Sequence, residues 1–298
     1  MSESATLRTV LATSPLSAPI KSGALSSPRA SFDFVEVSPV HKAFAPMVRD
    51  QAFDISELAI VTGLQAIAYG QPIILLPAVV ASRFQRGCLI TRRTGGVTTP
   101  ESLAGKRIGV RAYTQTTGMW VRAHLTEDYG LATDRMRWLT RDPAHVAQYN
   151  DPAFVEHSDD DRSLVDLLRE GVIDAAILGN DLPKDEEFVP VIADAALRDK
   201  AWYDQHGFVP INHVVSVSTA VGKHQPGAVR EAYRLLLESN AQLGGTPGPS
   251  PYAFGYETLR EPVGYIIDAC VEQGLLPRRL SLDEVFGPAQ ELLDGSAG

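Results

Sequence analysis

The sequence is poor in cysteine, and this excludes several classes of protein. Its 298 residues include two cysteines, Cys88 and Cys270, which stand far apart and show no metal-ligand spacing. A disulfide-rich scaffold is therefore excluded. One disulfide between the two stays open, and reduced buried thiols are the expectation. The chain also has no HExxH motif and no Cys/His cluster, so the sequence predicts no metal site.

The chain also lacks an excess of positive charge and any long apolar run. Its 27 Lys and Arg residues are outnumbered by 36 Asp and Glu residues, which gives a net charge of −9. Because no Lys/Arg-rich run is present either, we expect no nucleic-acid partner. No stretch approaches the ~20 apolar residues of a membrane span. The expected partner is a small molecule. The sequence leaves the oligomeric state open, a homo-oligomer included.

The first twenty residues do not resemble a secretory signal. Such a signal begins with basic residues followed by a clear apolar block. Here Glu3 precedes Arg8, and the apolar run "TVLA" is interrupted almost at once. We interpret this segment as a first strand that enters a loop, and we expect a cytoplasmic protein.

Strand and helix patterns alternate along the chain, which is typical of an α/β fold with parallel strands. A Gly/Pro-rich loop, "GGTPGPSP", separates two of the later helices. The predicted helices are, approximately, residues 114–129, 163–170, 227–240 and 261–273. The predicted strands lie in "TLRTVLA", "FDFVEV", "QAFDISELAIV", "PIILLPAVV", "GCLITRR", "GKRIGVR", "VIDAAIL" and "NHVVSVSTAV".

One turn between a strand and a helix is a candidate anion site. Residues 113–117 follow the strand "GKRIGVR" and begin a helix whose first turn contains Thr116 and Thr117. The first N–H groups of a helix have no partner within the helix, so such a turn can hold a carboxylate or a phosphate. An ordinary capped helix is the alternative.

The segment "FVPINHVVSV" places two polar residues in a strand that should be buried. Asn212 and His213 stand side by side among apolar, β-branched neighbours. A buried polar group costs free energy unless it is hydrogen-bonded. These residues are therefore either satisfied within the core or directed at a ligand site.

Six segments, in order, resemble the 4,5-dihydroxyphthalate decarboxylase family. The family has a type II periplasmic-binding-protein-like fold, in which two α/β lobes are joined by two crossing strands and enclose a ligand cleft. "PINHVV" resembles the strand that returns between the lobes, so the resemblance directs His213 at the cleft. The six segments are "FDISELAIVTGLQAIAYG", "VVASRFQRGCLI", "GKRIGVRAYTQTTGMWVRAHLTEDYGL", "LREGVIDAAILGNDLP", "FVPINHVVSVSTAV" and "GLLPRRLSLDEVFGPA".

The resemblance also implies a division into lobes. Residues 1–95 and 214–298 form the first lobe, and residues 96–213 form the second. The chain departs from the family in three places. The first loop, "LATSPLSAPIKSG", has no Asp or Tyr, Asp181 stands where an Arg is common, and Ala112 precedes Tyr113 where an acidic residue is common.

The resemblance implies decarboxylation of a hydroxylated aromatic acid without a cofactor. Such a reaction adds a proton to the ring carbon, and a histidine suits this task. We therefore predict that His213 is the general acid and that Glu57 orients it or accepts a phenolic hydrogen bond. The alternative for Glu57 is a carboxylate at the start of a helix.

The remaining candidates would bind the substrate. Arg83 offers a planar fork that fits a carboxylate; its alternative role is a salt bridge. Tyr113 would stack on the ring or donate its hydroxyl, and Trp120 is expected in the core. The full set of predicted binding residues is Arg83, Tyr113, Thr116, Thr117, Asn212 and Ser56, with Arg86, Lys21 and His41 as secondary candidates.

Two further readings of the fold stay open. One is a non-enzymatic solute-binding protein for a small aromatic carboxylate, which would serve transport or sensing. The other is a different enzyme on the same fold. Fold alone does not decide between them, because function resides in the site.

Overall fold

Two six-stranded sheets form the framework of the protein. The computed structural model describes residues 5–179, 182–244 and 248–295. The strands of this part of the chain are β1 (Ala5–Val10), β2 (Ala30–Phe34), β3 (Ile55–Ala59), β4 (Ile73–Ser82), β5 (Leu89–Arg92), β6 (Arg107–Val110), β7 (Arg137–Thr140), β8 (Val155–His157), β9 (Ala175–Ile177), β10 (Phe188–Pro190), β11 (Ile211–Ser218) and β12 (Ala253–Phe254).

Ten α-helices accompany these strands in the described residues. Four short 3₁₀ helices, at Val40–Ala43, Arg86–Cys88, Pro100–Leu103 and Thr133–Arg135, lie in the connections. None of the helices that the structure describes is long and apolar enough to cross a membrane. The α-helices are α1 (Ala18–Lys21), α2 (Phe44–Asp50), α3 (Ile60–Ala68), α4 (Thr116–Tyr129), α5 (Leu164–Arg169), α6 (Ala195–His206), α7 (Thr219–His224), α8 (Pro226–Gln242), α9 (Tyr256–Glu272) and α10 (Leu282–Asp294).

The strand order defines two lobes. The first sheet has the order β12-β4-β11-β3-β1-β2, and the second has the order β10-β5-β9-β6-β7-β8. Both sheets are mixed, whereas the sequence pattern predicts parallel strands. The parallel expectation is correct for β1 with β2 and β3, and for β6 with β7 and β9. It is wrong for β11, which enters from the other lobe and therefore runs antiparallel to β3 and β4.

The chain crosses between the sheets twice, at neighbouring positions. β4 ends at Ser82 in the first sheet, and β5 begins at Leu89 in the second. The return crossing precedes Ile211, and the backbone N–H of Arg83 donates to the carbonyl of Pro210 at 3.1 Å. The two connections are thus hydrogen-bonded to each other, as expected for the two-lobe fold.

Sheet membership therefore changes between residues 82 and 89, and again between residues 190 and 211. Leu89–Arg92 pairs in the second sheet, and the whole of Ile211–Ser218 pairs in the first. Residues 89–92 thus pair in the second sheet although the predicted first lobe extends to residue 95, and residues 211–213 pair in the first sheet although the predicted second lobe extends to residue 213. The assignment of the remaining residues to lobes stays a prediction.

The core explains why these segments form their elements. Strand β4 is apolar almost throughout and lies between two neighbours, so eight of its ten residues are buried. One apolar cluster extends through both lobes, from Leu58 and Val214 in the first to Trp120 and Trp138 in the second. Two smaller clusters cover the outer faces of the sheets. The strands that meet the crossing segments, β4, β5 and β11, all contribute to the cluster that extends through both lobes.

Candidate active site

A cavity of about 900 Å³ is lined by residues of both lobes. Its walls combine three histidines and three arginines with apolar side chains, a composition that suits an anion with an apolar body. The polar lining residues are His41, Thr62, Ser82, Arg83, Arg111, Thr114, Gln115, Thr116, Thr117, Arg141, Asp142, His145, Ser163, Asn212 and His213. The apolar ones are Pro39, Val40, Phe44, Ala59, Ala81, Leu164, Val165, Ile177, Leu178 and Gly179.

His213 lies on the wall of this cavity and is held by a carboxylate. Its Nδ1 is 2.6 Å from Oε1 of Glu57, and the other oxygen of Glu57 accepts the backbone N–H of Ala12 at 2.8 Å. The register explains the contact: Glu57 pairs with Val215, so His213, two residues before Val215, shares its face of the sheet. Glu57 is 4% exposed, while the side chain of His213 keeps 23% of its surface accessible.

The predicted anion site at the start of α4 is part of the same cavity. Thr116 and Thr117 line the cavity and are 3% and 4% exposed. The side-chain oxygen of Thr116 is buried and has no hydrogen-bond partner among the described residues. α4 is a regular helix of 14 residues. The backbone N–H groups of its first turn have no acceptor within the helix. This end of the cavity is therefore built to receive an acceptor.

Arg83 supplies a positive charge beside this turn. Its Nη2 donates to Oγ1 of Thr117 at 3.2 Å, and its Nη1 lies 3.4 Å from the sulfur of Cys88. The predicted alternative, a salt bridge, does not apply within the described residues, where Arg83 has no carboxylate within ion-pair distance. Burial raises the pKa of the Cys88 thiol, so the neighbour of Arg83 is a neutral group.

Several lining residues escaped the sequence analysis. Arg111 directly follows β6, and Arg141 and Asp142 directly follow β7. Ligands in open α/β sheets bind outside the carboxyl ends of the strands, so these positions were a usable signal. Asp142 lies 3.6 Å from the guanidinium of Arg111. Burial, and then the charge of Arg111, lowers the pKa of the nearby His41, a secondary candidate from the sequence.

Two predicted binding residues lie outside the cavity lining. Tyr113 is 1% exposed, and its hydroxyl donates to the carbonyl of Gln273 at 2.9 Å. The prediction for Tyr113 is wrong because its ring turns into the core, where it contacts Trp138 and Phe154. Ser56 is fully buried in β3, and its hydroxyl donates to the carbonyl of Glu57. Alternation along the strand directs Ser56 away from the face that carries Glu57.

The remaining candidates have mixed outcomes. Asn212 lines the cavity, but its side-chain oxygen accepts the amide of Gln85 at 2.7 Å. Arg86 is buried between Asp128 and Asp199, which makes it a structural ion-pair residue. Lys21 pairs with Glu36, Trp120 lies in the core as predicted, and Asp181 lies outside the described residues.

The part of the chain that the structure describes contains no group of three or more His, Cys, Asp or Glu side chains placed to hold a metal ion. The cavity instead offers hydrogen-bond donors and cations at its polar end. It offers a carboxylate-held imidazole on the opposing lobe. This arrangement can bind a carboxylate and present a proton donor to the group attached to it.

Comparison with solved structures defines the class of the protein. The alkanesulfonate-binding protein SsuA from Xanthomonas axonopodis pv. citri, bound to MOPS, matches 97% of this chain and 99% of its own, with a TM-score of 0.64 and 16% identity. The desulfurization enzyme DSZB matches 98% of both chains, with a TM-score of 0.55 and 17% identity. The protein thus has the two-lobe fold of periplasmic binding proteins, a fold that solved binding proteins and at least one enzyme share.

Sequence comparison is more specific. A 4,5-dihydroxyphthalate decarboxylase of Comamonas testosteroni is 24% identical over 278 residues, which cover 81% of this chain and 84% of that protein. A second protein of that name, from Pseudomonas putida, is 29% identical over 137 residues, 43% of this chain and 53% of that protein. No protein-family model matches. Both relatives support the resemblance to the 4,5-dihydroxyphthalate decarboxylase family that the sequence motifs predict, at an identity that makes this chain divergent from them.

Proposed function

We propose that the protein decarboxylates a hydroxylated, phthalate-like aromatic acid, as in the conversion of 4,5-dihydroxyphthalate to 3,4-dihydroxybenzoate. The observation that carries the proposal is that His213, which Glu57 holds, lines the same cavity as Arg83 and the first turn of α4. The two relatives are both named 4,5-dihydroxyphthalate decarboxylase, which supports this activity.

Arg83 and the α4 turn would hold the carboxylates. A guanidinium binds a carboxylate through parallel N–H donors, and the N–H groups at a helix start add to its field. The unpartnered hydroxyl of Thr116 supplies one more donor. The ring would then lie along the apolar wall formed by residues such as Phe44 and Leu178. This placement excludes water from the reacting carbon.

His213 would supply the proton. Direct loss of CO₂ from the ring would leave an unstable aryl carbanion. Protonation of the ring carbon that carries the carboxylate avoids this, because the C–C bond then breaks with its electron pair restoring the aromatic ring. Donation from a hydroxyl para to that carbon assists the protonation. In balance, one proton is taken up and one CO₂ is released. A positioned histidine typically contributes a factor of about 10² to 10⁴ to such a step.

Glu57 would act through His213. With Nδ1–H directed at the carboxylate, Nε2 is the nitrogen left to carry the proton toward the cavity. The second oxygen of Glu57 is fixed by the N–H of Ala12, so the carboxylate cannot turn away without losing that bond. The chemistry itself uses the electrons of the substrate ring. We therefore propose that no metal and no organic cofactor takes part.

The test is product analysis. Purified protein treated with a chelator is incubated with 4,5-dihydroxyphthalate, and substrate and 3,4-dihydroxybenzoate are followed by liquid chromatography with mass detection. Equimolar, protein-dependent conversion supports the proposal. Tight binding of the substrate without conversion would instead favour the solute-binding alternative. If the folded protein shows no binding and no conversion, the proposed substrate class is overturned. The cytoplasmic location stays a prediction, and the oligomeric state stays open.

A further inference from the structure

A second histidine of the cavity is held in a fixed position by the opposite lobe. His145 lies in the loop after β7, and its ring lines the cavity. Its Nδ1 is 2.8 Å from the hydroxyl of Thr62, which belongs to α3. Among the described residues, the ring of His145 makes its hydrogen bond through Nδ1, and none is found at Nε2. One nitrogen is thus used to fix the ring, and the other is left for a ligand.

The loop that carries His145 is clasped across the cleft. Arg49, on α2, donates through Nε to the carbonyl of His145 and through Nη2 to the carbonyl of Ala144, both at 2.6 Å. The ring of Phe44 meets His145 edge-on at a centroid distance of 5.7 Å and meets His213 at 5.2 Å. The two histidines therefore flank one aromatic ring and line the same cavity. Such fixing by packing and second-layer hydrogen bonds is what a binding group requires.

The electrical environments of the two histidines differ. His213 contacts the carboxylate of Glu57, whereas His145 contacts a hydroxyl. Burial, followed by the positive charges of Arg111, His41 and Arg49, lowers the pKa of His145 to about 4. Asp142, which is three residues away in the same loop, is engaged with Arg111. His145 is therefore a neutral imidazole at neutral pH. Paired groups in such contrasting environments commonly divide two tasks between them.

We propose that His145 binds a ring hydroxyl of the substrate through Nε2. This inference rests on the proposed substrate class, hydroxylated aromatic carboxylates. With the proton on Nδ1 directed at the Thr62 oxygen, Nε2 is an acceptor for a phenolic O–H. Accepting that hydrogen bond draws the phenol toward phenolate and strengthens its donation into the ring. His145 is thus the residue that selects hydroxylated acids over unhydroxylated ones, since a site built to bond a hydroxyl rejects analogues that lack it.

The experiment compares two ligands by titration calorimetry. 4,5-Dihydroxyphthalate and phthalate are titrated into protein that carries His213→Gln, so that turnover does not disturb the binding signal. In this background the dihydroxylated ligand should bind at least about tenfold more tightly, the amount of roughly one good hydrogen bond. Adding His145→Phe keeps the aromatic contact with Phe44 and removes both ring nitrogens. The preference should fall about tenfold, with phthalate affinity within about twofold of its former value.

Two matched variants complete the design. His157→Phe changes an exposed histidine of the same lobe, and the preference should not change. Thr62→Val keeps the ring and its shape but removes the fixing hydroxyl, so the preference should fall about three- to fivefold. Thr62→Val also serves if His145→Phe does not fold. The preference should stay constant between pH 5.5 and 7.5, because His145 is neutral throughout.

The outcomes separate this inference from the proposed function. An unchanged preference in folded His145→Phe or Thr62→Val overturns the role of His145 and leaves decarboxylation standing. An equal loss of affinity for both ligands also overturns the role of His145, because it would show that His145 supports the shape of the cavity only. A third outcome is that the preference depends on His145 but the protein with its native His213 yields no product. This outcome supports the inference and overturns the decarboxylase. Binding of neither ligand in the folded background protein overturns the role of His145, and product analysis on the native protein decides the proposed function separately.

Discussion

The Nδ1 of His213 donates a 2.6 Å hydrogen bond to the carboxylate of Glu57, across two neighbouring strands of the first sheet and 156 positions apart in the sequence. The carboxylate is almost completely buried, and the imidazole reaches the cavity from the crossing strand. A buried carboxylate costs free energy unless it is paired, and Glu57 has two partners, His213 and the N–H of Ala12. The pair therefore gives the site an oriented imidazole, and both His213 and Glu57 should be needed for full activity.

His213→Ala should reduce kcat by at least about 100-fold, because it removes the proposed proton donor. Substrate affinity should change by less than about fivefold, since the carboxylate contacts lie at the α4 end of the cavity. Steady-state kinetics and calorimetry measure the two quantities. The exposed His224 supplies a control, His224→Ala, with kinetics like those of the native chain. Near-normal turnover of His213→Ala would remove His213 from the mechanism.

Glu57→Gln tests whether the carboxylate acts through the histidine. The amide keeps the size of the side chain but exchanges one acceptor oxygen for a donor, so His213 loses its charged partner and its fixed tautomer. We expect kcat to fall about 10- to 100-fold while KM stays within about threefold. Glu156→Gln, on an exposed strand, is the matched control. A large rise in KM with normal kcat would give Glu57 a role in substrate binding instead.

Arg83→Ala should raise KM more than it lowers kcat. The guanidinium would hold a carboxylate equally in the ground state and in the transition state, and loss of such uniform binding appears in KM. A rise of about 10- to 100-fold corresponds to one charge-assisted hydrogen-bond pair. Arg83→Lys should recover only part of the loss, because an ammonium lacks the planar fork. If kcat falls while KM is preserved, Arg83 stabilises the transition state.

Thr116→Val should separate stability from binding. The buried hydroxyl of Thr116 has no partner among the described residues, so its replacement by a methyl group removes a desolvation cost. We expect the free energy of unfolding to stay equal or to rise by about 1 kcal/mol in the ligand-free protein. Ligand affinity should fall about fivefold. Urea unfolding and calorimetry check the two effects. A less stable variant with unchanged affinity would show that Thr116 supports the helix start only.

The buried His124 should make the protein less stable in mild acid. Both of its ring nitrogens are buried without a partner among the described residues, and burial lowers its pKa well below the ordinary value of 6.5. Below pH 6.5 the unfolded chain therefore binds a proton that the folded protein does not. The free energy of unfolding falls as the pH falls, by at most about 1.4 kcal/mol per pH unit from this group.

His124→Phe is the variant that checks this expectation. It keeps an aromatic ring against Trp120 and Trp202 and removes the titrating group. Urea unfolding at pH 7.5, 6.5, 5.5 and 4.5 should show a shallower decline for the variant than for the native chain. The remaining decline comes from other groups, His145 among them. Parallel declines would mean that His124 does not contribute.

Local pattern accounts for much of the framework. Apolar and β-branched runs predict eight strand segments, all of which form strands, and the helix expected at 114–129 is α4. The predicted helix 261–273 begins at Tyr256 instead, because Gly255, with φ 93°, allows the chain to turn directly into it. The patterns do not predict helices α1, α2, α3, α6, α7 and α10 or strands β7, β8, β10 and β12. These strands are two to four residues long, too short for a periodicity to appear.

The candidate site likewise combines features that local sequence predicts with features that depend on tertiary packing. Local residues predict that Asn212 and His213 stand on a strand and that Thr116 and Thr117 begin a helix, since both features depend on sequence neighbours. Only the tertiary structure decided which of them share a cavity. It turned Tyr113 into the core and brought Arg111, Arg141 and His145 to the cleft. The physical reason is that loop ends carry no periodic signal. The direction of their side chains depends on packing between two lobes that are distant in the sequence.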